Sequence, residues 1–340
     1  MSAANAAEAV QWSGFLLLRG SNGVDSGPLR EERVSAQAQV GIDWTPSPLY
    51  GAHVHLLARD DGAGARRGTF GIAEAYVEGN LRPRDDRLRL RAGAFFLPTS
   101  RENVDALWET AYTITPSALN SWLGEEFRPI GVDAAYTHRN VTAGATVFRG
   151  NDTFGAIPPT RGWALRDHWI TLGEWVPVPE DDFTSVSAEN DGRAGWAARA
   201  MWNGAHALAQ LTYIDNRADG LPYGRLYNWG TQFYIASGEY TTGDWTFAGE
   251  YGWGPTFLVV AGTAYTSDLR AGYVLASRRW THGRATLRAD RFGVNDIDHH
   301  ALTAAFLWTP PGPLRPGFEL STSGGEHRVI IELRYSFAGR

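Results

Sequence analysis

Arg87, Arg89 and Arg91 stand at alternate positions, a spacing that puts three guanidinium groups on one face of an extended strand. Each group is planar and permanently charged, so the row is suited to anions and carboxylates. The segment that follows, 98–127, carries Glu102, Asp105, Glu109, Glu125 and Glu126 against Arg101, and Arg128 comes directly after it. Five carboxylates against one arginine make this segment acidic. Opposite charges across a narrow aqueous gap would orient dipolar water and solutes and penalise apolar ones. Two blander readings stand beside this one. Glu74 and Glu78 share the polar face of the preceding strand, where ion pairs would cancel much of the field. An ordinary solvated outer loop is the other reading of the acidic segment. Arg284, Arg288, Arg328 and Arg334 are further inward-facing cations, partly matched by Asp290 and Glu332.

Catalytic signals are poor. His53 and His55 have an i, i+2 spacing that can chelate a metal, yet no third ligand stands near them. Nothing marks a nucleophile and no glycine-rich phosphate loop occurs. The sequence therefore assigns no catalytic residue, metal or cofactor. The segment 150–191 holds Trp163, Trp169 and Trp175 among charged residues. It is either a sugar-binding vestibule or a loop packed on itself or on a neighbouring subunit.

The elements that must position these residues are strands. In Arg33–Thr45 the even positions read Val34, Ala36, Ala38, Val40, Ile42 and Trp44, and the odd ones Arg33, Ser35, Gln37, Gln39, Gly41 and Asp43. One face suits lipid and the other water. Arginine on the lipid face would cost about 2–4 kcal/mol at the bilayer midplane, so the 87/89/91 row must face inward. The same alternation predicts strands over 11–19, 33–45, 50–60, 69–79, 87–97, 128–138, 141–149, 192–202, 205–214, 229–240, 243–253, 265–277, 283–293, 299–309, 315–322 and 327–337. Connections after even-numbered strands are turn-like, such as Asn203-Gly204, and those after odd-numbered strands are mostly longer. Trp44, Tyr50, Trp202, Trp280 and Trp308 sit at strand ends beside turns, as interfacial aromatic girdles do. The expected fold is all-β: a transmembrane antiparallel barrel of about 16 strands over 11–337, with short periplasmic turns and long extracellular loops. A soluble all-β sandwich shows alternation too, but usually in shorter strands.

Composition agrees. The 340 residues include 14 Trp, 13 Tyr, 15 Phe and 39 Gly, no Cys, and 31 basic residues that are all Arg. The absence of Cys excludes disulfides and thiolate chemistry, and the net charge of -6 gives no reason for nucleic-acid binding. No run approaches a membrane-spanning helix. Residues 1–10 resemble the small-residue end of an export signal, with the rest removed and Met1 added.

On these residues the chain resembles the bacterial outer-membrane porins. The final run Val329, Ile331, Leu333, Tyr335, Phe337 is similar to the C-terminal signal of such barrels, although Ala338-Gly339-Arg340 follow the Phe. The stretch Arg91–Pro98, then a long loop, then Arg128–Val132, loosely resembles the phosphate-selective porin group. That group's substrate is not carried over, because the chain has no Lys. The resemblance implies an outer-membrane location, passage of small hydrophilic solutes with an anion or sugar preference, and a homotrimer. It also implies that segment 98–127 folds inward as a constriction. The constriction would comprise Arg87, Arg89, Arg91, Arg101, Glu102, Asp105, Glu109, Glu125, Glu126 and Arg128. A lipase-like barrel enzyme and a plugged binding or adhesion barrel are the other two function classes.

Overall fold

Period-two patterning forces each strand to choose one face for lipid-like surroundings and one for water, and closing the sheet satisfies every edge. The computed structural model describes residues 10–22, 25–26, 29–30, 34–60, 70–82, 86–103, 107–178 and 182–339. The N-terminal residues 1–9 and Asp105 lie outside the described residues.

Sixteen antiparallel strands form one closed barrel. They are β1 (Val10–Ser21), β2 (Val34–Ser47), β3 (Tyr50–Arg59), β4 (Phe70–Leu81), β5 (Arg87–Ala94), β6 (Ile130–His138), β7 (Val141–Arg149) and β8 (Gly195–Asn203). The second half is β9 (Ala207–Asp215), β10 (Gly230–Thr242), β11 (Trp245–Val260), β12 (Thr263–Trp280), β13 (Gly283–Val294), β14 (Ile297–Trp308), β15 (Leu314–Ser323) and β16 (Glu326–Gly339). Every neighbour in the ring is also a neighbour in sequence, and closure is made by β1 on β16, from Trp12↔Gly339 to Ser21↔Ile330. All sixteen predicted strands are present. The segment 254–264, expected as a loop, instead extends β11 and β12, which pair as far as Val260↔Thr263.

The outer wall is apolar. Leu16, Leu18, Val132, Val274, Leu287, Leu302 and Ile331 are exposed on it, and Trp44, Tyr50, Trp202, Trp280 and Trp308 are exposed near the turn end. The inner wall carries the buried polar residues, among them His55, Glu74, Asp133, Arg199, Arg288 and Glu319. This is the inverse of a soluble domain.

Two connections occupy the interior. The segment 95–129 contains helix α1 (Ala118–Glu126), every residue of which is buried. Its start is capped: the Ser117 hydroxyl accepts the Asn120 N–H at 3.3 Å. The segment 150–194 contains the short helix α2 (Ile157–Arg161) and the strand pair Trp175–Val178 and Asp182–Ser185. Together they build an apolar core inside the barrel. Trp122 stacks on Phe154 at 4.9 Å and meets Phe233 of β10 edge-on at 4.9 Å. A Cβ on Gly124 would fall 1.7 Å from the Trp169 ring, so only glycine lets the two connections approach this closely.

Candidate functional site

The inner segment 95–129 crosses the lumen from β5 to the opposite wall, and buried ion pairs fix its path. Arg288 of β13 is fully enclosed. It donates to Asp290 at 2.8 Å, Glu102 at 2.6 Å, the Thr113 hydroxyl at 2.8 Å and the Thr115 and Pro116 carbonyls at 2.7 and 3.1 Å. Glu319 of β15 accepts the Ile114 and Thr115 N–H groups at 2.7 and 3.0 Å. Glu109 pairs with Arg334 of β16 at 3.1 Å.

These contacts correct one expectation. The described acidic residues of the segment, Glu102, Glu109, Glu125 and Glu126, do not face the Arg87/Arg89/Arg91 row. Glu102 and Glu109 are turned to the far wall. Glu125 is held by Arg161 at 2.5 Å and also by Arg166, both from segment 150–194. Burial pushes the Glu125 carboxyl up, but the two guanidiniums outweigh it and hold it well below the usual carboxylate range. Among the described residues, no cation pairs with Glu126. It accepts from the Trp122 indole, from Ala156 N–H at 2.9 Å and from Ile157 N–H at 3.2 Å. Burial pushes its carboxyl up to about 7 against those hydrogen bonds. Arg128, expected at the constriction, is fully buried over the Phe96 ring at 3.1 Å and donates to Ile170 C=O at 2.7 Å.

The longest connection does not form an open vestibule. Its Asp167 reaches across the ring to Arg19 of β1, at 2.5 and 2.9 Å, and Arg19 in turn contacts Glu332 of β16. Its Glu174 pairs with Arg59 of β3, and Arg328 of β16 donates to Leu165 C=O at 2.6 Å. The segment packs on the inside of its own barrel.

Between segment 95–129 and β4–β9 lies a cavity of about 520 Å³. Arg87, Arg89 and Arg91 line it as their alternation requires, joined by Arg101 and by Arg199 of β8. Glu74 is the one carboxylate among the lining residues. Sequence reasoning missed Arg199, although its position between the outward Ala198 and Ala200 marked it as inward. It also missed Ser100 and Asn103 of the segment itself, which line the cavity together with Trp108. The Arg row is partly paired, as one reading of the sequence allowed. Arg91 meets Glu78 at 2.7 Å, Arg89 lies 3.7 Å from Asp133, and Arg199 grips Asp133 bidentately at 2.6 and 2.8 Å. Arg87 donates to the neutral Asn80 side chain at 3.0 and 2.7 Å. A group of fixed cations around an open cavity concentrates anions.

His53 and His55 both lie near Glu74, at 4.0 and 3.6 Å. His53 bonds Asp43 at 2.7 Å and His55 bonds Gln39 at 2.7 Å. Among the described residues, the cluster with ligand-like spacing is Asp152, Glu189 and Asp191. Its oxygens accept backbone N–H groups, including Asn190, Asp191, Gly192 and Arg193.

No family model matches the chain, and no curated protein matches it. Solved structures do. An OmpF of Salmonella typhi in complex with daunomycin superposes with a TM-score of 0.63 at 10% identity, over 96% of this chain and 97% of the other. The outer-membrane channel DcaP of Acinetobacter baumannii gives 0.61 at 12%, over 96% and 97%. A porin refined at 1.8 Å gives 0.55 at 11%, over 96% and 100%. At such identities the likeness is one of fold: a closed sixteen-strand porin-like barrel.

Proposed function

We propose that the chain is an outer-membrane channel of porin type that passes small hydrophilic solutes by passive diffusion and prefers anions. The observation that carries this reading is the arginine-lined cavity inside a barrel whose outer wall is apolar. Sixteen strands enclose more space than wall side chains fill. On this reading the short turns and both chain ends face the periplasm, and the long connections face outward. The hydrogen-bonded histidines His53, His55, His138 and His168 partner carboxylates, Gln39 and Arg59 rather than a hydroxyl. That supports a non-enzymatic role.

A homotrimer is part of the same proposal. Ala134, Ala145 and Ala198 are cross-strand partners on the outside of β6–β8, with Ala143 opposite Ala200 beside them. Such a patch of small side chains lets a second barrel approach closely in lipid. A detergent-corrected mass near that of one 37.3 kDa chain would end this part of the reading.

One observation favours a second reading. The two inner segments fill much of the lumen, which suits a plugged binding barrel. Planar-bilayer recording separates the two. Stepwise conductance, with a reversal potential of anionic sign in a salt gradient, is expected of the channel. Folded protein that inserts and stays silent leaves the plugged barrel.

A further inference from the structure

His53 and His55 share the inward face of β3, and the fold supplies the third group that their spacing lacked in the sequence. Glu74 of β4 stands opposite His55, and the pairing shifts register just beyond that pair. Such an irregularity re-aims a side chain. The Glu74 Oε2 lies 3.6 Å from His55 Nδ1 and 4.0 Å from His53 Nε2, too far for hydrogen bonds. The other nitrogen of each ring is already committed. His53 Nδ1 bonds Asp43 Oδ1 and His55 Nε2 bonds Gln39 Oε1, both at 2.7 Å. An acceptor there keeps the ring proton on that nitrogen, which leaves the nitrogen nearer Glu74 as a lone pair. The carboxylate is held in the same way, since its Oε1 accepts the Phe96 N–H at 2.7 Å. Two imidazole lone pairs and a carboxylate oxygen, all acceptors, therefore converge. His53 Nε2 and His55 Nδ1 are buried without a hydrogen-bond partner. No water reaches these two nitrogens, so what satisfies them must sit between the three side chains themselves.

We infer that His53, His55 and Glu74 bind a divalent transition-metal ion of the zinc type. Two histidines and a carboxylate are a ligand set that zinc takes, with one position left open. Ligands about 2.0–2.1 Å from a tetrahedral zinc lie about 3.4 Å from one another. Glu74 is therefore within about 0.2 Å of that separation toward His55 and about 0.6 Å toward His53. The two ring nitrogens stand wider apart, since among the described residues three ligand atoms lie within 4.8 Å of one another only at Asp152, Glu189 and Asp191. The rings close on the ion by turning about χ2, a broad torsion in histidine. Asp43 and Gln39 then play the part of the acceptors that orient metal-bound histidines. Arg128, over the Phe96 ring, sets one positive charge against the two carboxylates Glu74 and Asp43. Glu74 lines the cavity, which gives the ion its way in. The site stands whether or not the barrel conducts.

The test is calorimetric titration of the full folded chain, stripped with a chelator and held in detergent, with zinc sulfate. One ion per chain is expected, with a Kd of about 10 µM or tighter. X-ray absorption of the zinc-loaded native chain is expected to show ligands at about 2.0–2.1 Å with two imidazoles among them. Glu74→Gln, isosteric with the native residue, and His55→Gln are each expected to weaken zinc about tenfold or more. Asp191→Asn is expected to leave the affinity unchanged. Heat-modifiable gel mobility confirms that each variant is folded. No binding by the native chain at about 100 µM zinc overturns the inference. So does an absorption spectrum without imidazole, which needs no variant, or an affinity that survives both Glu74→Gln and His55→Gln. Loss of binding in Asp191→Asn alone would move the ion to the acidic cluster and overturn it as well.

Discussion

Arg288→Met removes the cation that ties the inner segment to the barrel wall. Arg288 is fully buried between Glu102 and Asp290 and makes five hydrogen bonds to carboxylates, a hydroxyl and carbonyls. Met fills comparable apolar volume but leaves two enclosed carboxylates without their counter-ion. Breaking a buried pair from one side costs about 3–5 kcal/mol, because the surviving charge keeps its desolvation penalty. The loss falls first on the segment, since Glu102 also accepts the Ser117 N–H that precedes α1, at 2.8 Å. Urea unfolding of the detergent-folded barrel should show the loss in stability. Trypsin cleavage after Arg101, which is shielded in the native chain, should accelerate before the barrel unfolds. The double variant Arg288→Met with Glu102→Gln neutralises one orphaned carboxylate and should recover part of the loss, so the two substitutions are not additive. If the single variant unfolds within about 1 kcal/mol of the native chain and Arg101 stays protected, the tether is not electrostatic and the account of the segment's path is wrong.

Replacing Arg87, Arg89 and Arg91 together with Ser should shift the reversal potential toward cations, most clearly at low salt where the screening length exceeds about 8 Å; an unchanged potential would place the row away from the conducting path. The Glu126 carboxyl, raised from 4.5 to about 7, favours its protonated form in the folded state. Its contribution is therefore full below about pH 4.5 and is lost as pH rises through 7, by roughly 3 kcal/mol for this fully buried group. Glu126→Gln should flatten hydrogen exchange of 118–126 against pH, and an unaltered pH dependence would assign the effect elsewhere. Gly124→Val drives a side chain into Trp169 and should cost about 1–3 kcal/mol, read as weaker protection of both inner segments with the wall strands unaffected.

The sequence by itself determined the wall. Alternation is a local property, so Arg87, Arg89 and Arg91 had to share a face, and the strand pairing followed because each strand meets its sequence neighbour. The tertiary structure decided what the inward charges do. Glu102 and Arg288 are 186 positions apart, and nothing in either neighbourhood specifies the other. Their pairing depends on where segment 95–129 runs across the lumen, and that path is set by desolvated contacts with β11, β13, β15 and β16 at once. The acidic composition of that segment was visible, but its direction was not. A carboxylate buried without hydrogen-bond donors is so costly that each described one goes to the donors the path offers. Those donors lay on the far wall and on segment 150–194, so the Arg row keeps an open, basic cavity beside it.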